Sequence, residues 1–232
     1  MNQFCHQKLN IPIPPIVDQS VLDEMVDRKF NYPKNKDPET KKHQICCFGF
    51  TDVKNILNPE LINVFEQIRV RPKVLCMFGL QNYPNYRTAV HSDIYHKIDG
   101  GWNFWPASLN YEITVSDVDW YFYDPKNNPP ETYDSYSKER LLQEYDQSLI
   151  SGARYGNPGE FDQTVIDSLG FELIEKYSVE ADTYYLNKVS IPHSIDSRCK
   201  SSDSRISIQI KFNTQDIPTW ESALKVFDSF KS

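Results

Sequence analysis

Two strand-like runs, ASLNYEITV (107–115) and DVDWYFYD (117–124), follow one another with only Ser116 between them. A parallel pair needs a crossover of a dozen or more residues, so these two strands cannot be parallel neighbours. Their spacing predicts a hairpin. QICCFGF (44–50), KVLCMFGL (73–80), YRTAVHSDIY (86–95), FELIEKYSVE (171–180), DTYYLNKVSI (182–191) and SRISIQIKF (204–212) read as further strands, about eight in all, and GGW (100–102) reads as a turn. Helical patterns are few: Asp18 to about Arg28, PELINVFEQI (59–68) with Pro59 near its start, and IPTWESALKVFDSF (217–230), where Trp220, Leu224 and Phe227 share a side. Short strands with few helical crossovers predict a mainly β chain with flanking helices, of the α+β kind. Its architecture is then an antiparallel sandwich or jelly roll rather than a parallel α/β sheet.

A length of 232 residues fits one domain spanning 1–232. Within it, residues 1–70 form an N-terminal flank with helices. The polar, Tyr-rich stretch 125–163, partly helical around 137–150, reads as an insertion or lid over one edge of the β-structure, and 217–230 is a C-terminal helix. Aromatic residues make up 13% of the chain, which argues for a packed core.

The net charge of −7 disfavours nucleic acid as a partner, since phosphate backbones call for clustered Lys and Arg. No apolar run approaches the roughly 18 residues of a membrane span. The start MNQFCHQKLNIPIPP lacks a basic segment followed by an apolar one, so no signal peptide is expected. Five Cys, with Cys46 and Cys47 adjacent and no CxxC, suit reduced thiols in a cytoplasmic setting better than a disulfide framework or zinc ribbon.

Three fragments carry candidate chemistry: His91-Ser92-Asp93 in a strand, His193 at a strand end after Pro192, and Arg205-Ile206-Ser207 opening an alternating strand. Residues i and i+2 of a strand face the same way, so His91 and Asp93 can grip one ion, and His193 from a neighbouring strand would complete two imidazoles and a carboxylate. Such a facial triad leaves open positions and suits non-haem Fe(II). Arg205 and Ser207 also share a face, and a guanidinium with a hydroxyl makes a carboxylate receptor. Plainer readings stand beside these. His91 can be a hydrogen-bonded strand residue, Asp93 a turn cap, His193 a loop residue and Arg205 a surface cation. A buried Asp93, however, needs a partner. His6 and His43 read as surface residues, and Trp120-Tyr121-Phe122-Tyr123 as core and hairpin surface.

The order H-x-D, then about a hundred residues, then His, then R-x-S resembles the Fe(II)/2-oxoglutarate-dependent oxygenases. Within them the chain is most similar to the aspartyl/asparaginyl β-hydroxylase-like group. VHSDIYH (90–96), SLNYEI (108–113) before WYFYD (120–124), and VSIPHSID (189–196) before RISIQIKF (205–212) carry the likeness. It covers roughly residues 73–124 and 180–212. The resemblance implies a double-stranded β-helix, the jelly-roll or cupin-like fold. It implies His91, Asp93 and His193 as iron ligands and catalytic centre, Arg205 with Ser207 on the distal carboxylate of 2-oxoglutarate, and Ser108 and Asn110 lining the co-substrate pocket. Tyr95 and Tyr155 are expected to touch substrate. The implied reaction uses O2 and 2-oxoglutarate to hydroxylate a small-molecule or peptide substrate, of amino-acid or peptide-like kind. Glu112 stands where the family often has Pro. Two alternatives remain: a non-catalytic jelly-roll module that binds a ligand or partner, and a cupin-type metal enzyme that does not use 2-oxoglutarate. Oligomeric state is not legible.

Overall fold

The computed structural model describes residues 4–16, 46–50, 56–81, 86–87, 90–98, 101–114, 117–124, 132–134, 151–155, 170–197 and 204–232. The helix expected at 18–28, the loop at 34–42, His43 and the helix around 137–150 lie outside them.

Fourteen strands run through the described residues: β1 (His6–Leu9), β2 (Cys46–Phe50), β3 (Pro72–Gln81), β4 (Tyr86–Arg87), β5 (His91–Ile98), β6 (Gly101–Phe104), β7 (Ser108–Thr114), β8 (Val118–Asp124), β9 (Thr132–Asp134), β10 (Ser151–Tyr155), β11 (Glu172–Ser178), β12 (Thr183–Asn187), β13 (His193–Ser197) and β14 (Ser204–Phe212). Helix α1 (Pro59–Gln67) precedes β3, and α2 (Trp220–Val226) follows β14. One sheet has the order β1-β12-β7-β14-β3-β2. The other has β11-β8-β13-β5-β10-β9, with β4 on β13 and β6 on β5. The pairings that build both sheets are antiparallel. The expected jelly roll, the double-stranded β-helix, is the architecture observed.

Alternation in β14 and β7 decides how the layers stack. Ile206, Ile208, Ile210, Leu109 and Tyr111 point outward and pack with Leu61 and Phe65 of α1 and with Trp220, Ala223 and Phe227 around α2. The opposite parity, Ser207, Gln209, Lys211, Ser108, Asn110 and Glu112, is just as deeply buried but polar. It faces the second sheet, as contacts from Gln209 and Lys211 to Asp93 of β5 show. A second apolar cluster joins the sheets beside this polar patch: Trp120, Phe122 and Tyr177 from one, Val74 and Tyr185 from the other.

Both helices are held by their ends. Pro59 opens α1 where its missing N–H costs nothing, and the Asn58 side chain accepts from Glu60 N at 2.9 Å. At α2 the Thr219 and Ser222 side chains cap each other's backbone N–H groups.

Several sequence expectations need correction. The segments 107–115 and 117–124 do not form a hairpin. β7 is flanked by β12 and β14 in one sheet, and β8 by β11 and β13 in the other, so both edges of each are taken by long-range partners. The run 86–95 splits into β4 and β5. At the turn signal 100–102 the chain does reverse: β5 ends at Ile98 and pairs antiparallel with β6, which begins at Gly101 opposite it and includes Trp102. Within residues 125–163 the described part forms strands β9 and β10, and β10 extends the second sheet directly alongside β5. His6 is not a free surface residue: it stacks on Tyr177 with ring centroids 3.8 Å apart and pairs with Glu175 at 2.9 Å. Among the described residues no helix is long and apolar enough to cross a membrane.

Phe65 is fully buried and meets Phe212 edge-on at 5.2 Å, so it fastens α1 to β14. Phe65→Ala leaves a cavity under the sheet and is expected to cost about 3–5 kcal/mol, read as a lower urea midpoint.

Candidate metal centre

β5 and β13 meet at one register position, and it pairs His193 with His91. Directly opposed residues of an antiparallel pair project to the same face with Cβ atoms about 4.5–5.5 Å apart, which brings the two rings together. Their centroids are 4.4 Å apart. Asp93, two residues along β5, shares the face of His91. His91 Nε2 lies 3.7 Å and His193 Nε2 4.0 Å from the same atom, Asp93 Oδ1. One ligand atom from each of the three residues lies within 4.8 Å of the others.

The backbone fixes this arrangement from both sides. Asp93 N donates to Val189 O at 2.9 Å, and Asp93 O accepts from Trp105 N at 2.8 Å. Pro192, just before His193, presents its carbonyl to Tyr123 N at 2.9 Å. The His193 ring then stacks on Trp120, with centroids 5.4 Å apart and planes 16° from parallel. Its Nδ1 lies 2.9 Å from the Ile191 carbonyl. A carbonyl only accepts, so Nδ1 carries the proton and Nε2 keeps its lone pair toward Asp93 Oδ1. That is the tautomer a metal-binding imidazole requires.

Asp93 finds the partner that a buried carboxylate needs. Lys211 Nζ lies 3.0 Å from Oδ2, and Gln209 Nε2 donates to the same oxygen at 3.2 Å. Burial pushes the Asp93 carboxyl up, but the Lys211 ammonium, the two imidazoles and the hydrogen bond from Lys211 outweigh it and hold the group below its ordinary range. For His193, burial dominates and pulls the imidazole down to about 3. An ionised carboxylate, the Nε2 lone pair of His193 and the second imidazole of His91 form a donor set that could hold a divalent metal ion.

Ser108 and Asn110 are buried and belong to a side-chain network that reaches Asp93. Ser108 Oγ donates to Asn110 Oδ1 at 2.7 Å, and Gln209 Nε2 lies 3.2 Å from Ser108 Oγ. Ser207 is 1% exposed on the same inward parity of β14, so that polar face lines the interior rather than solvent. Arg205 stands two positions earlier, opposite Leu80. Tyr95 lies in β5 at the register shift between Ile94 and His96, and Tyr155 ends β10 opposite Thr132. Gly152 and Arg154 of β10 stand opposite Asp93 and His91, so β10 borders the strand that carries two members of the triad.

Gln209 and Lys211 are site residues that motif reading passes over. Their signal was available in RISIQIK: positions 205, 207, 209 and 211 have one parity. What hid Lys211 is the general rule that lysines sit at the surface; here it is 2% exposed.

No protein-family model matches the chain, and no curated protein matches it. The solved structures it is similar to include the following three. The non-heme monooxygenase ThoJ in its apo form is 10% identical over 89% of this chain and 74% of that one, with a TM-score of 0.42. AviO1 from Streptomyces viridochromogenes Tue57 is 9% identical over 89% and 90%, also at 0.42. HygX from Streptomyces hygroscopicus, solved with nickel and 2-oxoglutarate bound, is 13% identical over 87% and 80%, at 0.35.

Folded His193 stays neutral down to about pH 3, whereas an unfolded imidazole takes up its proton near 6.5. Between those values the unfolded chain binds the extra proton, so stability falls as pH drops. The metal-free protein is expected to lose roughly 1–2 kcal/mol between pH 6.5 and 5 from this group. Urea titrations at stepped pH check it, and His193→Gln is expected to flatten the slope.

Proposed function

We propose that this chain is a non-haem Fe(II)- and 2-oxoglutarate-dependent oxygenase acting on an amino-acid or peptide-like substrate. The observation that carries the reading is the convergence of His91 Nε2, His193 Nε2 and Asp93 Oδ1 on one point inside a jelly roll. The fit of these residues to a metal rests on their own chemistry: the fixed Nδ1–H tautomer of His193, the ionised Asp93 and a donor set of two nitrogens and one oxygen.

His91, Asp93 and His193 would hold the iron by one face, leaving positions for a bidentate co-substrate and O2. Bound there, Fe(II) supplies the oxidative step that couples decarboxylation of 2-oxoglutarate, giving succinate and CO2, to hydroxylation of the substrate. The protein's part is placement and exclusion of water. Trp120, Phe122 and Tyr177 wall one side of His193 with aromatic surface. Arg205 and Ser207 of β14 would take the distal carboxylate of 2-oxoglutarate, while Ser108 and Asn110 support the pocket floor through Gln209. Substrate choice falls to the 125–163 insertion, whose strand β10 runs beside β5, with Tyr95 and Tyr155 as contact residues. On this reading residues 1–232 act as one oxygenase domain with that insertion as its lid.

Anaerobic titration with Fe(II) and 2-oxoglutarate tests the proposal. A visible charge-transfer band is expected in the wild type and none in His91→Ala. Arg205→Ala is expected to weaken 2-oxoglutarate at least about tenfold, in line with a lost charge-assisted pair. Iron uptake without the band points to a metal enzyme of another kind, and absence of uptake leaves a binding module.

A further inference from the structure

The two oxygens of Asp93 have different surroundings. Oδ1 is the one nearest both imidazoles, at 3.7 and 4.0 Å. Oδ2 receives Lys211 Nζ at 3.0 Å and Gln209 Nε2 at 3.2 Å. Both donors come from β14 in the opposite sheet, and both are almost wholly buried, at 2% and 3% exposure. The orientation of the Gln209 amide follows from the network behind it. The one proton of Ser108 Oγ goes to Asn110 Oδ1, so the Ser108 oxygen must accept from Gln209 Nε2. Asn110 Oδ1 also accepts from Asn187 Nδ2 at 3.2 Å, and Asn187 Oδ1 accepts from Tyr177 OH at 2.8 Å. A line of buried side chains thus crosses β11, β12, β7 and β14 and ends on Asp93 Oδ2. The Gln209 Oε1 left over is buried with no hydrogen-bond partner among the described residues, and the amide is held there through its nitrogen.

We infer that Gln209 and Lys211 are positioning residues that hold Asp93 Oδ2 away from the metal, so that Asp93 binds through Oδ1 only. This rests on the metal-centre reading above. A carboxylate with both oxygens at liberty can turn and chelate with the pair, as carboxylates do around larger ions. Here that would consume one of the open positions on which a bidentate co-substrate and O2 depend. The charge of Lys211 has a second consequence. It neutralises part of Asp93, so its loss raises the local attraction for a cation even as it frees the carboxylate. Affinity is therefore the readout for the neutral residue, Gln209, and coordination mode is the readout for both.

The test uses the full chain, Co(II) alone as probe, and infrared difference spectra of protein labelled with 13C at aspartate carboxyls. The gap between asymmetric and symmetric carboxylate stretches is wide for one-oxygen and narrow for two-oxygen coordination. The wild type is expected to show the wide gap. Gln209→Leu and Lys211→Met are expected to narrow it, and Gln209→Leu to weaken Co(II) about tenfold, as supporting hydrogen bonds to metal ligands commonly do. A narrow gap in the wild type overturns the inference, as does a Gln209→Leu protein that keeps both the wide gap and the affinity. Should Lys211→Met fail to fold, the wild-type spectrum and Gln209→Leu still decide it. A wild type that takes up no Co(II), like His91→Ala, removes the metal-centre reading and this inference with it. Uptake with the wrong carboxylate mode removes the inference alone.

Discussion

A carboxylate placed between two β-sheets is the constraint on which the rest depends. Asp93 is 7% exposed, and an ionised group so enclosed is tolerated only with a counter-charge and hydrogen bonds. Lys211 supplies the charge and Gln209 a hydrogen bond, both from across the barrel. The Asp93 backbone is tied on both sides, to Val189 and to Trp105. With Asp93 fixed, the single register position shared by β5 and β13 brings in the two imidazoles. The aromatic surface of Trp120 and the carbonyl of Ile191 then leave His193 little choice of ring orientation or tautomer.

β14 carries two jobs in one strand. Its isoleucines bind the sheet to α1 and α2, which is ordinary core packing. Its alternate residues build a polar interior that reaches the triad. The period of two makes this division possible, and it also makes the site sensitive to register, because a slip of one residue would send Gln209 and Lys211 into the apolar layer and the isoleucines toward Asp93. The nine-residue strand and its pairing along both β3 and β7 hold that register.

The parts of this arrangement that were legible in the sequence are those with a fixed local spacing. H-x-D on a strand, alternation in RISIQIK, and a Pro at the start of a capped helix all rest on rules that act within a few residues. The parts that were not legible depend on long-range partners. Ser116 looks like the middle of a hairpin until β12, β14, β11 and β13 claim both edges of β7 and β8. Lys211 looks like a surface lysine until Asp93 is found opposite it. His6 looks exposed until Tyr177 and Glu175 come to it from far along the sequence, Glu175 from 169 residues away. Residues 125–163 showed polarity, tyrosines and a helical stretch but no strand signal; β9 and β10 form there because β5 offers β10 an edge and β10 offers one to β9.

On the reading proposed above, His91, Asp93 and His193 share one metal ion. Anomalous diffraction at the cobalt edge, from crystals of the full chain grown with Co(II), tests it most directly. The expected result is a peak within about 2.0–2.2 Å of His91 Nε2, His193 Nε2 and Asp93 Oδ1, with Oδ2 still on Lys211 and Gln209. A cobalt peak elsewhere, with none between these three atoms, would contradict it.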